Sequence, residues 1–182
     1  MEKRFVATDP GNETLGASML GVIDAMGEEI HPILNELNLQ DIDADTWYPQ
    51  QQYLDVYNAI YKKRINLMHN LVAIGMKTVD NAAFPPQIET LQDALMSMDA
   101  YYHLNNRDKA GKWDVQIDDT SARCTSTTPF PPDFEYGILY ALVRRFVPKD
   151  HTFKVKYEGD APEYAGADHP CTYLVTWEPK YS

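Results

Sequence analysis

The sequence predicts an α+β fold in which N-terminal helices pack on a four-stranded antiparallel sheet made of two hairpins joined by a helix. Two observations carry this prediction. Apolar residues recur at helical spacing up to about residue 104, and after residue 111 they alternate with the two-residue period of strands. Helices grouped before hairpins favour an antiparallel sheet over a parallel, nucleotide-binding one.

The N-terminal segment predicts two short helices. The first has Asn12 or Thr14 as its N-cap and ends at Gly27, and Pro32 fits the first turn of the second. The apolar residues at helical spacing are Leu15, Met19, Val22, Ile23 and Met26 in the first helix, and Ile30, Ile33, Leu34 and Leu37 in the second.

Residues 47–104 predict three more helices and no strand. Trp47-Tyr48-Pro49 has the pattern of a helix start, because proline suits the first helical position. A second helix is predicted over 65–80, where Gly75 indicates a close helix contact rather than a break. The third runs from residue 88 to about residue 103.

The C-terminal half predicts a ββαββ unit. Residues 112–118 and 122–127 form the first hairpin, and a helix follows from Asp133 to Val147. Its inward face is predicted to carry Phe134, Ile138, Leu142 and Phe146. Strands over 153–157 and 171–177 then form the second hairpin.

Composition and charge exclude several classes of protein. The chain has 182 residues, of which 44% are hydrophobic and 24% charged, as in an ordinary globular domain. Its net charge of −11 argues against a nucleic-acid binder and against docking on anionic lipid. No apolar run reaches the ~20 residues that span a bilayer. Residues 1–10 lack the apolar core of a signal peptide, so we expect a cytoplasmic protein.

We expect one domain over residues 1–182, with an acidic helical segment (1–46), further helices (47–104) and the ββαββ half (112–178). Residues 1–46 hold ten acidic and two basic residues, so −8 of the net charge lies there. A solvated face that aids solubility is the favoured interpretation. A docking surface for a basic partner is the alternative.

The residues that could bind metal or haem are few. Cys124, Cys171 and His169 are a weak candidate set for zinc, which needs about four ligands; a buried cysteine acting as a small apolar residue is favoured. His69 and His103 are the helical histidines that could ligate haem. A surface position for His69, and a helix C-terminal position for His103, are favoured over ligation.

Catalysis is not indicated by any motif. The sequence has no Gly-x-Ser-x-Gly elbow, and nothing suggests a lowered thiol pKa at either cysteine. We therefore lean towards a protein that is not an enzyme. The aromatic residues are more informative. The chain has 12 Tyr, three Trp and six Phe, and nine of these are concentrated around the predicted sheet and its helix: Tyr101, Tyr102, Trp113, Phe130, Phe134, Tyr136, Tyr140, Tyr173 and Trp177. They predict either a solid aromatic core or a pocket for a flat apolar ligand.

Several motifs resemble those of the 4-vinyl-reductase domain family. They are residues 129–138 (PFPPDFEYGI) with their helix to Arg144-Arg145-Phe146, and residues 171–177 (CTYLVTW). Trp47-Tyr48-Pro49 and residues 102–106 (YHLNN) are similar to those of standalone bacterial relatives. The family shares its architecture with haem-nitric-oxide-binding sensor domains and with subunits of the TRAPP tethering complex.

The resemblance implies the same α+β fold, a small-molecule pocket between helices and sheet, a homodimer and a sensory role. Two departures concern cofactors. Metal-bearing members use clustered cysteines, whereas Pro132 stands where we expect one of them, so zinc is not expected. Haem sensors carry Tyr-x-Ser-x-Arg for the propionates, and the nearest stretch here, Tyr140 to Arg144, has Leu142 in place of serine. Haem or another tetrapyrrole is thus without a supporting motif.

These observations lead to one main hypothesis and two alternatives. The main one is a non-catalytic ligand-binding or sensory module for an apolar or aromatic molecule, acting through a separate partner protein. Its pocket is expected to be lined by Phe130, Phe134, Tyr102, Trp113 and Tyr173, with Arg123 or His103 supplying a polar contact. The alternatives are a protein–protein adaptor with a filled pocket, and a tetrapyrrole-binding carrier or enzyme.

Overall fold

The computed structural model describes residues 3–62, 67–160, 162–166 and 168–180, with side chains throughout except those of 67–70. It confirms the α+β class. The helices are α1 (Gly16–Met26), α2 (His31–Leu37), α3 (Gln50–Lys62), α4 (Leu67–Asn81), α5 (Leu91–Met96), α6 (Met98–Asn105) and α7 (Pro132–Phe146). The strands are β1 (Glu13–Leu15), β2 (Trp47–Pro49), β3 (Asn106–Arg107), β4 (Trp113–Ile117), β5 (Ser121–Ser126), β6 (His151–Tyr157) and β7 (Cys171–Pro179).

The main sheet has the strand order β4-β5-β7-β6 and is antiparallel throughout. The two predicted hairpins are therefore β4–β5 and β6–β7, with α7 as the connection between them. Register places Cys124 of β5 opposite Tyr173 of β7, and Ser126 opposite Cys171. Since neighbours across a ladder share a face, these side chains form one surface beneath α7.

A second, small sheet corrects the prediction that no strand precedes residue 104. Strand β1 pairs with both β2 and β3, so Thr14 lies between Tyr48 and Asn106. Pieces of two or three residues are too short for alternation to show in a sequence. Their pairing joins segments that are distant along the chain.

The small sheet also changes how two helices begin. Neither Asn12 nor Thr14 caps α1; Leu15 holds that position without a side-chain hydrogen bond. Thr14 is fully buried instead, and its hydroxyl donates to Asn106 Oδ1 at 2.8 Å. Trp47-Tyr48-Pro49 forms β2, so α3 begins one residue later, at Gln50.

The helix predicted over 88–103 is divided into α5 and α6. Thr90 starts α5 with a capping box, in which its side chain accepts from the Asp93 amide and the Asp93 carboxylate accepts from the Thr90 amide. Ser97 separates the two helices, and its hydroxyl donates to the Ala94 carbonyl at 2.8 Å. A side chain that competes for helix carbonyl groups favours such a break.

Helix α7 lies between α4 and the main sheet, so it is covered on two sides. A Cβ atom built on Gly75 would lie 2.1 Å from the Phe134 carbonyl oxygen, and one on Gly137 would lie 2.1 Å from that of Val72. The two glycines thus allow the backbones of α4 and α7 to touch, which confirms the predicted close contact at Gly75. Within the described residues, no helix has the length and apolar character to cross a membrane.

Candidate functional site

The carboxyl group of Glu135 is buried at the centre of the interior. Glu135 lies in the first turn of α7 and is only 3% exposed. The residue before it, Phe134, is also buried, and so are Gly137, Leu139 and Ala141. This helix is therefore covered on two sides, and a residue that would face water on an ordinary surface helix faces the sheet instead.

Three hydroxyl groups hold this carboxyl group in place. Ser126 at the end of β5 donates to Oε1 at 2.6 Å, and Thr128 just beyond it donates to the same oxygen at 2.5 Å. Tyr173 of β7 lies 2.9 Å from Oε2, and its hydroxyl is also 3.0 Å from the Pro132 carbonyl oxygen. The strand register thus brings donors from two strands to one helical carboxyl group.

Burial controls the protonation of this group. Loss of solvation raises the pKa of Glu135 to about 7, while the hydrogen bonds from Ser126, Thr128 and Tyr173 act in the opposite direction. No Lys, Arg or His of the described part of the chain forms an ion pair with it. Near neutral pH the buried carboxyl group is therefore present in both protonated and ionised forms.

Aromatic rings surround this group, and we call them the aromatic cluster. Its members are all buried: Tyr53, Tyr57, Tyr102, Trp113, Phe130, Phe134 and Tyr173. The ring of Phe130 has its centroid 5.4 Å from that of Tyr53, 6.2 Å from that of Tyr102 and 6.3 Å from that of Phe134. Trp113 stacks on Tyr173 with centroids 5.8 Å apart. These are ordinary contact distances between aromatic rings.

The five residues predicted to line a pocket are all buried and fall into two contacting sets, Phe130 with Tyr102 and Phe134, and Trp113 with Tyr173. Phe130 meets Tyr102 and Phe134 directly, so these rings fill the space between α3, α6 and α7. Tyr102 also donates a hydrogen bond to Oδ2 of Asp108, the residue that follows β3, at 2.7 Å. The rings are packed as a core, and their role in binding stays a prediction.

The two predicted polar contacts lie outside the aromatic cluster. Arg123 alternates with buried Ala122 and Cys124, so it points to the other face of β5, where Nη2 lies 2.6 Å from Glu158 Oε2. The His103 side chain is 40% exposed, and its Nε2 lies 3.6 Å from Asp99 Oδ1 on the same helix. Neither side chain reaches Glu135.

The weak zinc set is not assembled either. Cys124 and Cys171 are free and buried on the inner face of the sheet, whereas His169 lies exposed on the loop before β7. Among the described residues, no three His, Cys, Asp or Glu side chains lie together in a way that suits a metal ion. Burial raises the pKa of each thiol to about 12, so neither cysteine is an activated nucleophile.

Sequence reasoning missed the polar half of this site. Glu135, Ser126 and Thr128 were not singled out, nor were Tyr53 and Tyr57 on the inner face of α3. An acidic residue in the first turn of a helix is usually a solvated partner of the helix dipole. A signal did exist in the spacing, because Glu135 falls between the apolar positions Phe134 and Ile138.

Comparisons with known proteins identify the fold. No protein-family model matches the sequence, and a search of curated proteins finds no significant relative. Solved H-NOX structures do match. The I5F mutant from T. tengcongensis has a TM-score of 0.64 at 11% identity and covers 91% of this chain and 97% of that one.

Two further H-NOX structures match equally broadly. An oxygen-binding H-NOX domain related to soluble guanylate cyclases, in its oxygen complex, has a TM-score of 0.62 at 12% identity and covers 92% of this chain and 95% of that one. An unliganded Fe(II) H-NOX mutant from K. algicida has a TM-score of 0.65 at 10% identity and covers 92% of this chain and 98% of that one. The haem-nitric-oxide-binding-like fold is therefore confirmed, while membership of the 4-vinyl-reductase family stays a prediction.

The described side chains do not fit the haem that this fold carries in other proteins. In the stretch nearest to the propionate motif, Arg144 forms a two-point ion pair with Asp80 at 2.7 and 2.8 Å, and Tyr140 packs on Phe153. His103 faces outward, and the other helical candidate, His69, has a side chain outside the described residues. Rings of the aromatic cluster contact one another between helices and sheet, so a macrocycle there would have to displace them.

Proposed function

We propose that this protein is a non-catalytic ligand-binding or sensory module that acts through a separate partner protein. The ligand is a small aromatic molecule with a hydrogen-bond donor, bound at the aromatic cluster. One observation carries the proposal: an ionisable carboxyl group is buried among aromatic rings, where an apolar side chain would stabilise the fold better. The shared H-NOX architecture supports a sensory role.

The ligand's chemistry follows from Glu135. An ionised carboxylate offers about four acceptor positions, and Ser126, Thr128 and Tyr173 occupy three of them. A donor group on the ligand would use the remaining position. A basic ring nitrogen would also favour the ionised form, because an adjacent cation lowers a carboxyl pKa.

Entry requires a ring to move, and Phe130 is the best placed to do so. It lies in the connection between β5 and α7, outside regular helix and strand, whereas Tyr53, Tyr57 and Phe134 belong to helices. Displacement of Phe130 would open the cluster towards Glu135. The change would reach the surface through α7, whose first turn carries Glu135 and whose backbone touches α4 at Gly75.

Graded probes test the proposal. Benzimidazole has a basic nitrogen and a donor, indole has only a donor, and naphthalene has neither. We expect the affinity measured by calorimetry to fall in that order. Glu135 can accept a hydrogen bond from the donor of benzimidazole or indole, and it can form an ion pair only with the protonated nitrogen of benzimidazole. Glu135→Gln should reduce the benzimidazole preference about tenfold or more. Equal affinities for the three probes, or no binding of any of them, would contradict the proposal.

A ring-specific variant locates the binding site. Phe134→Leu keeps an apolar side chain but removes the ring, so the fold should lose only about 1 kcal/mol. We expect weaker benzimidazole binding in Phe134→Leu. Phe153→Leu is the matched control. Phe153 lies on β6 and packs on Tyr140 of α7, outside the aromatic cluster, so this variant should bind benzimidazole like the wild type. Equal losses in the two variants would remove Phe134 from the site.

A protein–protein adaptor is the second candidate, because the rings of the aromatic cluster already fill one another's space. Met96, Tyr101 and Leu104 are 61%, 58% and 70% exposed on α5 and α6 and would suit a partner surface. Light scattering after size-exclusion chromatography tests the expected homodimer. A dimer that loses mass in Leu104→Glu, with no probe bound, would favour the adaptor.

A further inference from the structure

A cleft in the helical layer is separate from the aromatic cluster. It has a volume of about 190 Å³ and lies between α1, α2, α3 and α4, and it is open to solvent. Its walls are aliphatic and include Met26, Ile30, Ile33, Ile60 and Ile74. The four isoleucines are buried and form the apolar floor of the cleft.

The rim of this cleft carries a lysine that forms no ion pair with a described residue. Lys77 lines the opening, and its recorded partner among the described residues is the Asp24 carbonyl oxygen, a contact of 3.4 Å with Nζ. No described carboxylate lies within ion-pair distance of it. Glu29 also lines the cleft and is exposed. A cation above an apolar floor is complementary to a carboxylate with an apolar tail.

We propose that this cleft binds a small monocarboxylic acid with an unbranched or aryl tail of about six to eight carbons, with the carboxylate at Lys77. The size is suitable, because an apolar cavity of about 150 Å³ already admits benzene. The net charge of −11 repels anions in general, so binding of a carboxylate here depends on the local cation. The inference is independent of the proposed function, since it uses different residues and a different ligand.

Calorimetry with sodium octanoate, 1-octanol and octylamine in about 0.15 M salt tests the proposal. We expect octanoate to bind at least about fivefold more tightly than the alcohol, and octylamine to bind most weakly. Shortening the acid towards butanoate should weaken binding by up to about fourfold per methylene. Equal binding of acid and alcohol, tighter binding of the amine, or no binding of octanoate would overturn the proposal.

Matched variants assign the binding to the cleft. Lys77→Gln should remove the preference for the acid over the alcohol, whereas Lys112→Gln changes the net charge equally at a distant surface and should not. Glu29→Gln should tighten octanoate binding about twofold. Ala73→Leu fills the cleft from an exposed helical position and should abolish binding without disturbing the core.

Identical affinities in Lys77→Gln and Lys112→Gln, or full binding in Ala73→Leu, would also overturn the proposal. Glu135 and Phe134 do not line the cleft, and no residue that lines it belongs to the aromatic cluster. A failure of octanoate to bind at the cleft can therefore be distinguished from a failure of the benzimidazole series to bind at the aromatic cluster.

Discussion

Gly137→Val is expected to lower the free energy of unfolding by about 3 kcal/mol or more, because its side chain has no space. The first added carbon would lie 2.1 Å from the Val72 carbonyl oxygen, and the backbone of α4 cannot yield as a flexible side chain can. Chemical denaturation followed by circular dichroism measures the change. Gly75→Val should act similarly from the other helix, since its Cβ would meet the Phe134 carbonyl oxygen.

A glycine in a different helix provides the control. Gly21 lies within α1, and a Cβ atom there has nothing within 4 Å. Gly21→Ala should therefore stabilise the protein by about 0.5–1 kcal/mol through helix propensity. A Gly137→Val variant as stable as the wild type would show that α4 and α7 do not touch as described, and would remove the basis for signal transfer from Glu135 to α4.

Glu135→Gln is expected to make the protein more stable at pH 8 by on the order of 3 kcal/mol, and to leave its stability near pH 4 almost unchanged. The carboxyl pKa is about 7 in the folded protein, above its unfolded value. Between about pH 4 and pH 7 the folded state therefore holds a proton that the unfolded state has released, and stability falls as pH rises. Above about pH 7 Glu135 is ionised in both the folded and the unfolded state, and stability falls no further on its account.

The glutamine variant keeps the local hydrogen bonds. Its carbonyl oxygen can accept from Ser126 and Thr128, and its amide can donate to the Tyr173 oxygen while that hydroxyl donates to Pro132. The difference between the two denaturation curves therefore isolates the ionisation. Glu158→Gln is a control in which the pH dependence has the opposite sign. Arg123 lowers the pKa of Glu158, so the small contribution of this ion pair to stability is lost on acidification. Parallel pH profiles for wild type and Glu135→Gln would refute the burial of an ionisable group.

The sequence predicted the main sheet because its strands are long enough to alternate. Trp113, Val115 and Ile117 show the period of β4 clearly, and prolines and polar turns separate the hairpins from α7. The small sheet lacked any such signal. Its strands have two or three residues each, and their pairing depends on contacts such as that between Thr14 and Asn106. The division between α5 and α6 likewise depends on the Ser97 hydroxyl rather than on apolar spacing.

The site was predictable in its aromatic part alone. Phe130, Phe134 and Tyr173 are large apolar residues at inward positions, so their convergence follows from the topology. Glu135 is different, because an acidic residue near a helix start normally faces water. Its burial follows from the packing of α7 on the main sheet, where Glu135 meets the hydroxyl groups of Ser126 and Tyr173. Arg123 and His103 were expected near the ligand, but their positions within their strand and helix turn them outward.

The most direct test of the central claim is native mass spectrometry, with an absorbance spectrum, on the protein purified from its native cells. The account predicts a reproducible extra mass of a small aromatic molecule that is lost in Glu135→Gln and retained in Lys77→Gln. Apo-protein without any extra mass, accompanied by a co-purifying polypeptide, would contradict the claim and favour the adaptor. A coloured protein whose extra mass is a tetrapyrrole would contradict the packed interior described for the aromatic cluster.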